Sequence, residues 1–196
     1  MPTALSRGER KLQTRAAIID AAAELFATQG IEATSLDRIA GAIGFTKGAV
    51  YSTFASKEEL IDAVAESRSV LIDPDPLFRT DFPLREGLRS IAEAFLRLRP
   101  KLTREILLLE LELFLYAERH PRWGRAKLRA SREALREDAL QLQVAIDERG
   151  EHLPMPAEEF FVALQALLIG IAREQFRDPG ALSDSTVESL IVGLAG

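Results

Sequence analysis

The feature that most constrains this chain is a run of short helical segments and turn signals between residues 34 and 60. Ile39, Ala40 and Ile43 recur at three-to-four spacing, which is typical of the buried face of an α-helix. Gly44 follows directly, and glycine adopts the left-handed conformation of a helix end without steric cost. Thr46 is placed to cap a new helix. The pattern therefore predicts two short helices that meet at a sharp turn.

Capping residues predict where the neighbouring helices begin. Thr34 stands three residues before Asp37, so the first short helix is expected to start near Ser35. Ser56 and Glu59 have the spacing of a second capping box, which predicts a further helix from about residue 57. Helix, turn and helix in this order form the supersecondary unit that places its second helix in the DNA major groove.

The second short helix, residues 47–53, has the chemistry of a phosphate-contacting surface. Lys47 brings a cation to its first turn, and Lys57 brings another to the next helix. A cation at a helix N-terminus opposes the helix dipole unless an anion lies nearby, and DNA phosphate is expected to be that anion. Hydroxyl groups able to bond phosphate oxygens are supplied by Thr46, Tyr51, Ser52 and Thr53.

An unrelated helical bundle is the alternative interpretation of these residues. Such a bundle gives no reason for Gly48, because glycine inside a helix costs about 1 kcal/mol relative to alanine. The helix-turn-helix interpretation is therefore favoured over the bundle.

These residues resemble the DNA-binding domain of TetR-type transcriptional regulators. The resemblance covers about residues 15–65 and depends on fixed residues at fixed spacing: Gly30, Thr34, Ile39, Ala40, Gly44, Thr46, Gly48, Tyr51, Phe54, Lys57, Glu58, Glu59 and Leu60. It implies DNA contacts at Thr46, Lys47, Gly48, Tyr51 and Lys57. Further candidate DNA contacts are Thr34, Ser35, Ser52 and Thr53. Thr53 departs from the family pattern, in which a histidine or tyrosine is common before the phenylalanine.

The fold class that follows is all-α, with a three-helix DNA-binding domain at residues 1–56, a linker helix at 57–71 and a helical ligand-binding and dimerisation domain at 72–196. Residues 1 to about 9 lack apolar periodicity and are expected to form a loose arm, in which Arg7, Arg10 and Lys11 are available for phosphates or simply solvated. The first helix is predicted at 11–29, with Gly30 as its C-cap. Three prolines predict a loop at residues 73–83, and further helices are predicted at about 84–99, 102–119, 122–149, 157–176 and 183–194.

The charge distribution agrees with one DNA-contacting face. The net charge of the chain is −5, which is unusual for a nucleic-acid binder. Residues 1–57 hold seven Lys or Arg and five Asp or Glu, a net charge of +2, whereas residues 58–196 hold eighteen and twenty-five, a net charge of −7. DNA would attract the first segment and repel the second.

Several protein classes are excluded or unsupported. The absence of cysteine excludes disulfides, thiolate catalysis and cysteine-based metal sites. No apolar run is long enough to span a bilayer and the first residues do not resemble a secretory signal, so a cytoplasmic protein is expected. Only His120 and His152 offer imidazole bases, and no Gly-rich phosphate loop, nucleophile elbow or metal-ligand spacing occurs. We therefore expect no enzyme, no cofactor and no metal.

Three helices after residue 72, at 84–99, 102–119 and 157–176, together supply more Leu, Ile and Phe than polar groups. Residues 102–119 are apolar on nearly every side, which predicts a buried helix with Glu105, Glu112 and Tyr116 at its exposed edge. A mainly apolar effector is expected among the helices at 84–99, 102–119 and 157–176, with candidate contacts at Glu110, Phe114, Tyr116 and Gln165. Ordinary core packing explains the same apolar residues. For Glu110, an internal ion pair with an arginine or plain exposure is favoured over a ligand contact.

The resemblance also implies a homodimer that pairs through its last two helices. Candidate interface residues are Phe161, Leu164, Leu168, Ile171, Val187, Leu190 and Ile191. The alternative is that these residues fill the core of their own subunit. Together the features predict a repressor that leaves a palindromic operator in double-stranded DNA when a small apolar effector binds. A DNA-binding helical dimer without an effector is the remaining alternative.

Overall fold

The computed structural model describes residues 6–68 and 73–196. Within these residues the chain is helical and contains no strand, so the predicted all-α class is confirmed. In chain order the helices are α1 (Arg7–Gln29), α2 (Leu36–Ala42), α3 (Lys47–Thr53), α4 (Lys57–Arg68), α5 (Asp75–Phe78), α6 (Leu84–Leu98), α7 (Arg104–Arg119), α8 (Pro121–Arg149), α9 (Ala157–Arg177) and α10 (Asp184–Val192). Short 3-10 turns follow α6 at Arg99–Lys101 and α10 at Gly193–Ala195.

The chain packs as two compact units. The N-terminal unit comprises Met1–Val70 and Arg104–Pro121, and the C-terminal unit comprises Leu71–Thr103 and Arg122–Gly196. The sequence analysis placed residues 104–121 with the C-terminal domain, whereas the structure groups them with the N-terminal helices. Residues 69–71 of the proposed linker helix and residues 1–5 of the proposed first domain lie outside the described residues.

Helix α1 forms the centre of the N-terminal unit. It begins one turn earlier than the sequence indicated, because Ser6 and Glu9 form a reciprocal capping box. Residues from Arg7 onward are therefore helical and not a loose arm. The helix ends at Gly30, whose φ of 87° favours glycine. Its buried side consists of Ile18, Ile19, Ala22, Ala23, Phe26 and Ala27.

Helix α7 packs against α1 and supplies hydrogen bonds to the turn that follows it. The Glu112 carboxylate accepts the backbone N–H of Ile31 at 3.1 Å. At the end of α7, His120 contacts the Glu32 carboxylate and stacks on Tyr116, with ring centroids 4.0 Å apart. The contact with His120 is the main reason that the pKa of Glu32 lies below its usual value. This set of contacts explains why residues 104–121 belong to the N-terminal unit.

Two expectations for α7 were wrong. Tyr116, expected at the exposed edge, is buried, and burial raises the pKa of its hydroxyl. The helix is not buried on all sides either, since Phe114 is 61% exposed and Leu111 and Leu115 are also exposed. The polar contacts made by Glu112 and His120 fix which side of α7 faces α1.

The C-terminal unit has its own apolar core, built from α5, α6, α8, α9 and α10. Leu88, Ile91, Phe95, Leu142, Phe160 and Ile191 are among its members. The loop predicted at residues 73–83 contains the short helix α5, whose Leu77 is fully buried. Arg149, at the end of α8, donates to the backbone carbonyls of Leu77 and Arg79 and therefore ties α8 to α5.

Helices α5 and α6 approach each other closely at Gly87. A Cβ atom at this position would lie 2.6 Å from the carbonyl oxygen of Pro76. We expect Gly87→Ala to lower the free energy of unfolding by about 1–3 kcal/mol, because a backbone carbonyl cannot move away from the new methyl group without shifting α5.

Gly170 in α9 is the matched control for Gly87→Ala, because an added Cβ meets nothing within 4 Å there. Gly170→Ala should leave stability unchanged or raise it by up to about 1 kcal/mol. Denaturant unfolding of the two variants would measure the difference. Equal stabilities would show that the two helices separate at little cost.

Candidate nucleic-acid interface

Helices α2 and α3 and the turn between them form the predicted helix-turn-helix. The Ser35 hydroxyl caps α2 by accepting the backbone N–H of Arg38 at 3.2 Å. Gly44 lies in the turn with a φ of 68°, as the sequence indicated. The Thr46 hydroxyl caps α3 by accepting the N–H of Ala49 at 3.2 Å. Each short helix is therefore started by a side chain of its own segment.

Helix α3 has one buried side and one open side. Val50 and the following Phe54 are fully buried, and they hold the helix against the unit. The exposed residues Lys47, Gly48, Tyr51 and Ser52 fall within an arc of roughly 140° at 100° per residue. Thr46, directly before the helix, is exposed as well. Five of the predicted DNA contacts therefore share one accessible surface.

The open side of α3 carries a cation with an anionic neighbour. The Lys47 ammonium group forms a hydrogen-bonded ion pair with the Asp37 carboxylate, and this pair raises the pKa of Lys47. In the absence of DNA the anion beside Lys47 is therefore a carboxylate of the protein, and not the phosphate predicted from the sequence. Both side chains remain substantially exposed, so the pair leaves Lys47 accessible to solvent.

Hydroxyl groups at the end of α3 bond the helix itself. Ser52 Oγ and Thr53 Oγ1 both donate to the carbonyl of Ala49, at 3.0 and 2.8 Å. Thr53 is half-buried, whereas Ser52 is exposed. Their oxygen lone pairs are still able to accept hydrogen bonds, but phosphate oxygens need donors. A phosphate contact would require either hydroxyl to turn away from Ala49.

Thr34 does not lie on the accessible surface. It is 1% exposed, and its hydroxyl donates to the carbonyl of Gly30 at 2.9 Å. Its proposed DNA contact is therefore corrected to a structural role in the turn between α1 and α2. Ser35, the neighbouring residue, is exposed and caps α2.

The first residues of α4 lie close to the turn between α1 and α2. Ser56 accepts the N–H of Glu59, as the capping pattern predicted, while the Glu59 carboxylate accepts the N–H of Ala55 at 2.7 Å. Lys57 is half-buried, and its ammonium group donates to the carbonyl of Glu32 at 3.3 Å. The lysine therefore has one hydrogen bond to the protein and can offer its remaining donors to an anion.

The proposed effector contacts fall in both units. Glu110 is half-buried and Phe114 is exposed on α7, where Tyr116 is buried and stacked on His120. Gln165 is exposed on α9 in the C-terminal unit. Because Tyr116 already packs within its own unit, it has the least free surface of the four.

The proposed dimer contacts divide by burial. Leu164, Ile171, Val187 and Ile191 lie in the core of the C-terminal unit, where the chain itself covers them. Phe161 and Leu168 are partly buried against that core, and Leu190 is 42% exposed. The residues of α9 and α10 that are open to another molecule therefore include Leu190 and the exposed Val162, which the sequence analysis did not propose.

Other kinds of site find no support in residues 6–68 and 73–196. This part of the chain contains no group of three or more His, Asp or Glu placed to hold a metal ion. It also contains no helix that combines the length and apolar character needed to cross a bilayer.

Known proteins match this chain in sequence and in fold. Residues 18–64 match the family model described as bacterial regulatory proteins, tetR family. The HTH-type transcriptional regulator SrpR of Pseudomonas putida is 39% identical over 84 residues, which cover 43% of this chain and 38% of SrpR. The chain thus spans well under two thirds of that relative.

Solved structures extend the likeness over nearly the whole chain. The crystal structure of NalD, the secondary repressor of the MexAB-OprM multidrug efflux pump in Pseudomonas aeruginosa, is 29% identical with a TM-score of 0.64, and 95% of each chain is covered. A SmeT–triclosan complex has a TM-score of 0.67 at 24% identity, covering 93% of this chain and 90% of SmeT.

These relatives are named as regulators, in agreement with the prediction that the chain is not an enzyme. The family model falls on the segment that contains α2, the turn and α3. Residues 18–64 are thus similar to the bacterial regulatory proteins of the tetR family, in agreement with the resemblance in sequence.

Proposed function

We propose that the protein is a DNA-binding transcriptional repressor that acts as a homodimer on a palindromic operator. The observation that carries this proposal is the open side of α3, where Lys47, Gly48, Tyr51 and Ser52 face outward beside the phosphate candidate Lys57. The proposed location of the protein is the cytoplasm, where bacterial DNA lies. NalD, which is similar over nearly its whole length, is named as a repressor.

Gly48 is the strongest single argument for DNA at this surface. A Cβ added there would meet only the Thr46 hydroxyl, at 4.0 Å, so packing within the protein does not require a glycine. Its φ is not in the left-handed region, so the backbone does not require one either. A glycine that costs about 1 kcal/mol of helix stability without an internal reason is explained by a molecule that approaches the backbone from outside.

The distribution of charge supports the same docking face. Residues 1–57 carry a net charge of +2, whereas the remainder carries −7. An acidic remainder disfavours unspecific attachment of the whole molecule to DNA and leaves the N-terminal surface as the attractive one.

A small apolar effector is proposed as the signal that releases the operator. SmeT, which has the same fold, was solved with triclosan. Of the candidate contacts, Phe114 and Gln165 are exposed and Glu110 is half-buried, whereas Tyr116 would have to leave its stacked position. A ligand changes operator affinity only through its different affinity for the two states of the protein.

The first prediction concerns Gly48→Ala. The added methyl group meets only the Thr46 hydroxyl, at 4.0 Å, so the folding stability should rise by up to about 1 kcal/mol. Operator affinity should fall at least tenfold, because the methyl group occupies the space proposed for DNA. Denaturant unfolding and fluorescence anisotropy on one labelled operator duplex would measure the two effects.

Gly41→Ala is the matched control for this variant. Gly41 lies in α2, is exposed and has nothing within 4 Å of an added Cβ. It should show the same gain in stability with operator affinity close to that of the parent. A Gly48→Ala protein that binds as tightly as the parent would contradict close approach of DNA at α3.

The second prediction concerns the homodimer. Leu190 is exposed on α10, so Leu190→Glu should leave the subunit folded but shift it to monomers, which bind a palindromic operator weakly. Leu140→Glu is the control, because Leu140 is 69% exposed on α8, outside the last two helices. Analytical ultracentrifugation would measure the mass of each variant. A dimeric Leu190→Glu protein would show that α10 does not pair the subunits in this way.

The third prediction separates an effector-controlled repressor from a DNA-binding dimer without an effector. A ligand that binds only the folded state raises the free energy of unfolding, by about 2.7 kcal/mol at a ligand concentration of 100 times its Kd. The unfolding midpoint rises as a result. We expect apolar drug-sized compounds to raise the midpoint and to release the operator over the same concentration range. Compounds that raise the midpoint and leave the operator bound would argue against an effector role for the site they occupy.

A further inference from the structure

The first turns of α1 extend beyond the core of the N-terminal unit. Every residue from Arg7 to Gln13 is exposed, and the first buried residue of the helix is Ile18. A helical segment that buries no side chain gains little from packing and depends on its end for stability. The Ser6–Glu9 capping box supplies that end. The structure therefore maintains a helical extension that contributes almost nothing to the core.

The extension is basic on one side. At 100° per residue, the four cations fall within an arc of roughly 140°: Arg7, Arg10, Lys11 and Arg15. Glu9 lies on the opposite side of the helix, where its carboxylate accepts the N–H of Ser6 at 2.7 Å. Among the described residues, no ion pair is found for Arg7, Arg10 or Lys11. We call these four cations the basic face of α1.

Spacing shows which way the basic face points. Lys11 lies seven residues before Ile18, and Arg15 lies seven residues before Ala22, so these cations share the side of α1 that packs against the unit. The contact of Arg15 agrees with this direction, because its guanidinium group lies over the ring of Phe54, 5.2 Å from the centroid. Phe54 directly follows α3 and caps its C-terminal end.

We propose that the basic face of α1 binds the DNA backbone beside the surface of α3, with Arg7, Arg10 and Lys11 on phosphates and Arg15 fixing the direction of the helix. Arg7 lies about 12 Å along the helix axis from Arg15 at 1.5 Å per residue, so the contacts would extend the footprint beyond the end of α3. Cations placed together without anionic partners repel one another, and phosphates remove that repulsion. This inference rests on the proposed DNA-binding function.

The test is an Arg7→Gln, Arg10→Gln, Lys11→Gln triple variant of the full chain. Glutamine keeps a good helix propensity and the capping box is untouched, so the helix should persist. The probe is a duplex that the parent protein selects from a random pool. The slope of log K against log salt should become shallower by about 0.9 for each lost phosphate contact, or about 2.7 for three. The ranking of different sequences should not change.

An Arg125→Gln, Arg129→Gln, Arg132→Gln variant is the matched control. The three arginines are exposed on α8, and replacing them removes the same charge from a different helix. The salt slope of this control should therefore stay close to that of the parent. Truncating the duplex from its ends gives a second readout. The parent should lose affinity when the flanking phosphates are removed, and the triple variant should not.

Three results would overturn the proposal. The triple variant could keep the parent's salt slope, the α8 control could lose as much slope as the triple variant, or the preferred sequence could change, which would indicate contacts to bases. If the partner of the basic face were an acidic protein and not DNA, the triple variant would keep the parent's salt slope on DNA. Failure of the parent to select any duplex would instead overturn the proposed function, and the basic face with it.

Discussion

The turn between α1 and α2 is the constraint on which the N-terminal unit depends. Ile31 is fully buried, and its backbone N–H would be left without a partner if Glu112 did not accept it. The Thr34 hydroxyl closes the same turn onto the carbonyl of Gly30, and Lys57 holds the carbonyl of Glu32. Three helices, α1, α4 and α7, therefore determine where α2 starts, although the turn itself spans only a few residues.

The direction of α3 follows from the start of α2. Gly44 allows the chain to reverse, and burial of Val50 and Phe54 then determines which side of α3 remains accessible. Tyr51 is exposed because its neighbour Val50 is buried, and Gly48 meets open space for the same reason. The surface proposed for DNA is thus a product of core packing on the opposite side of a seven-residue helix.

Local signals predicted the parts of this surface that short-range chemistry controls. Helices end before Gly30 and Gly44, as the sequence indicated. New helices begin after Thr46 and Ser56, also as indicated, because caps and left-handed turns depend on neighbouring residues only. Burial of Thr34 and the Lys47–Asp37 pair could not be read from local spacing, because they depend on how separate segments meet. The same holds for α7, whose buried side is selected by a hydrogen bond between residues 81 positions apart.

The Lys47–Asp37 pair also bears on how an acidic protein can bind DNA. An exposed ion pair contributes little to stability, because water screens both charges. In the proposed complex, phosphate replaces Asp37 as the partner of Lys47 at little cost, and the carboxylate returns to solvent. Before that exchange, Asp37 holds the ammonium group beside the first turn of α3, where it would otherwise oppose the helix dipole.

The cations of α1 differ from Lys47. Arg7, Arg10 and Lys11 have no such partner among the described residues, so neutralising them with phosphate would break no bond within the protein. Cations of these two kinds would contribute differently to binding, and the unpaired ones would give the larger share of its salt dependence.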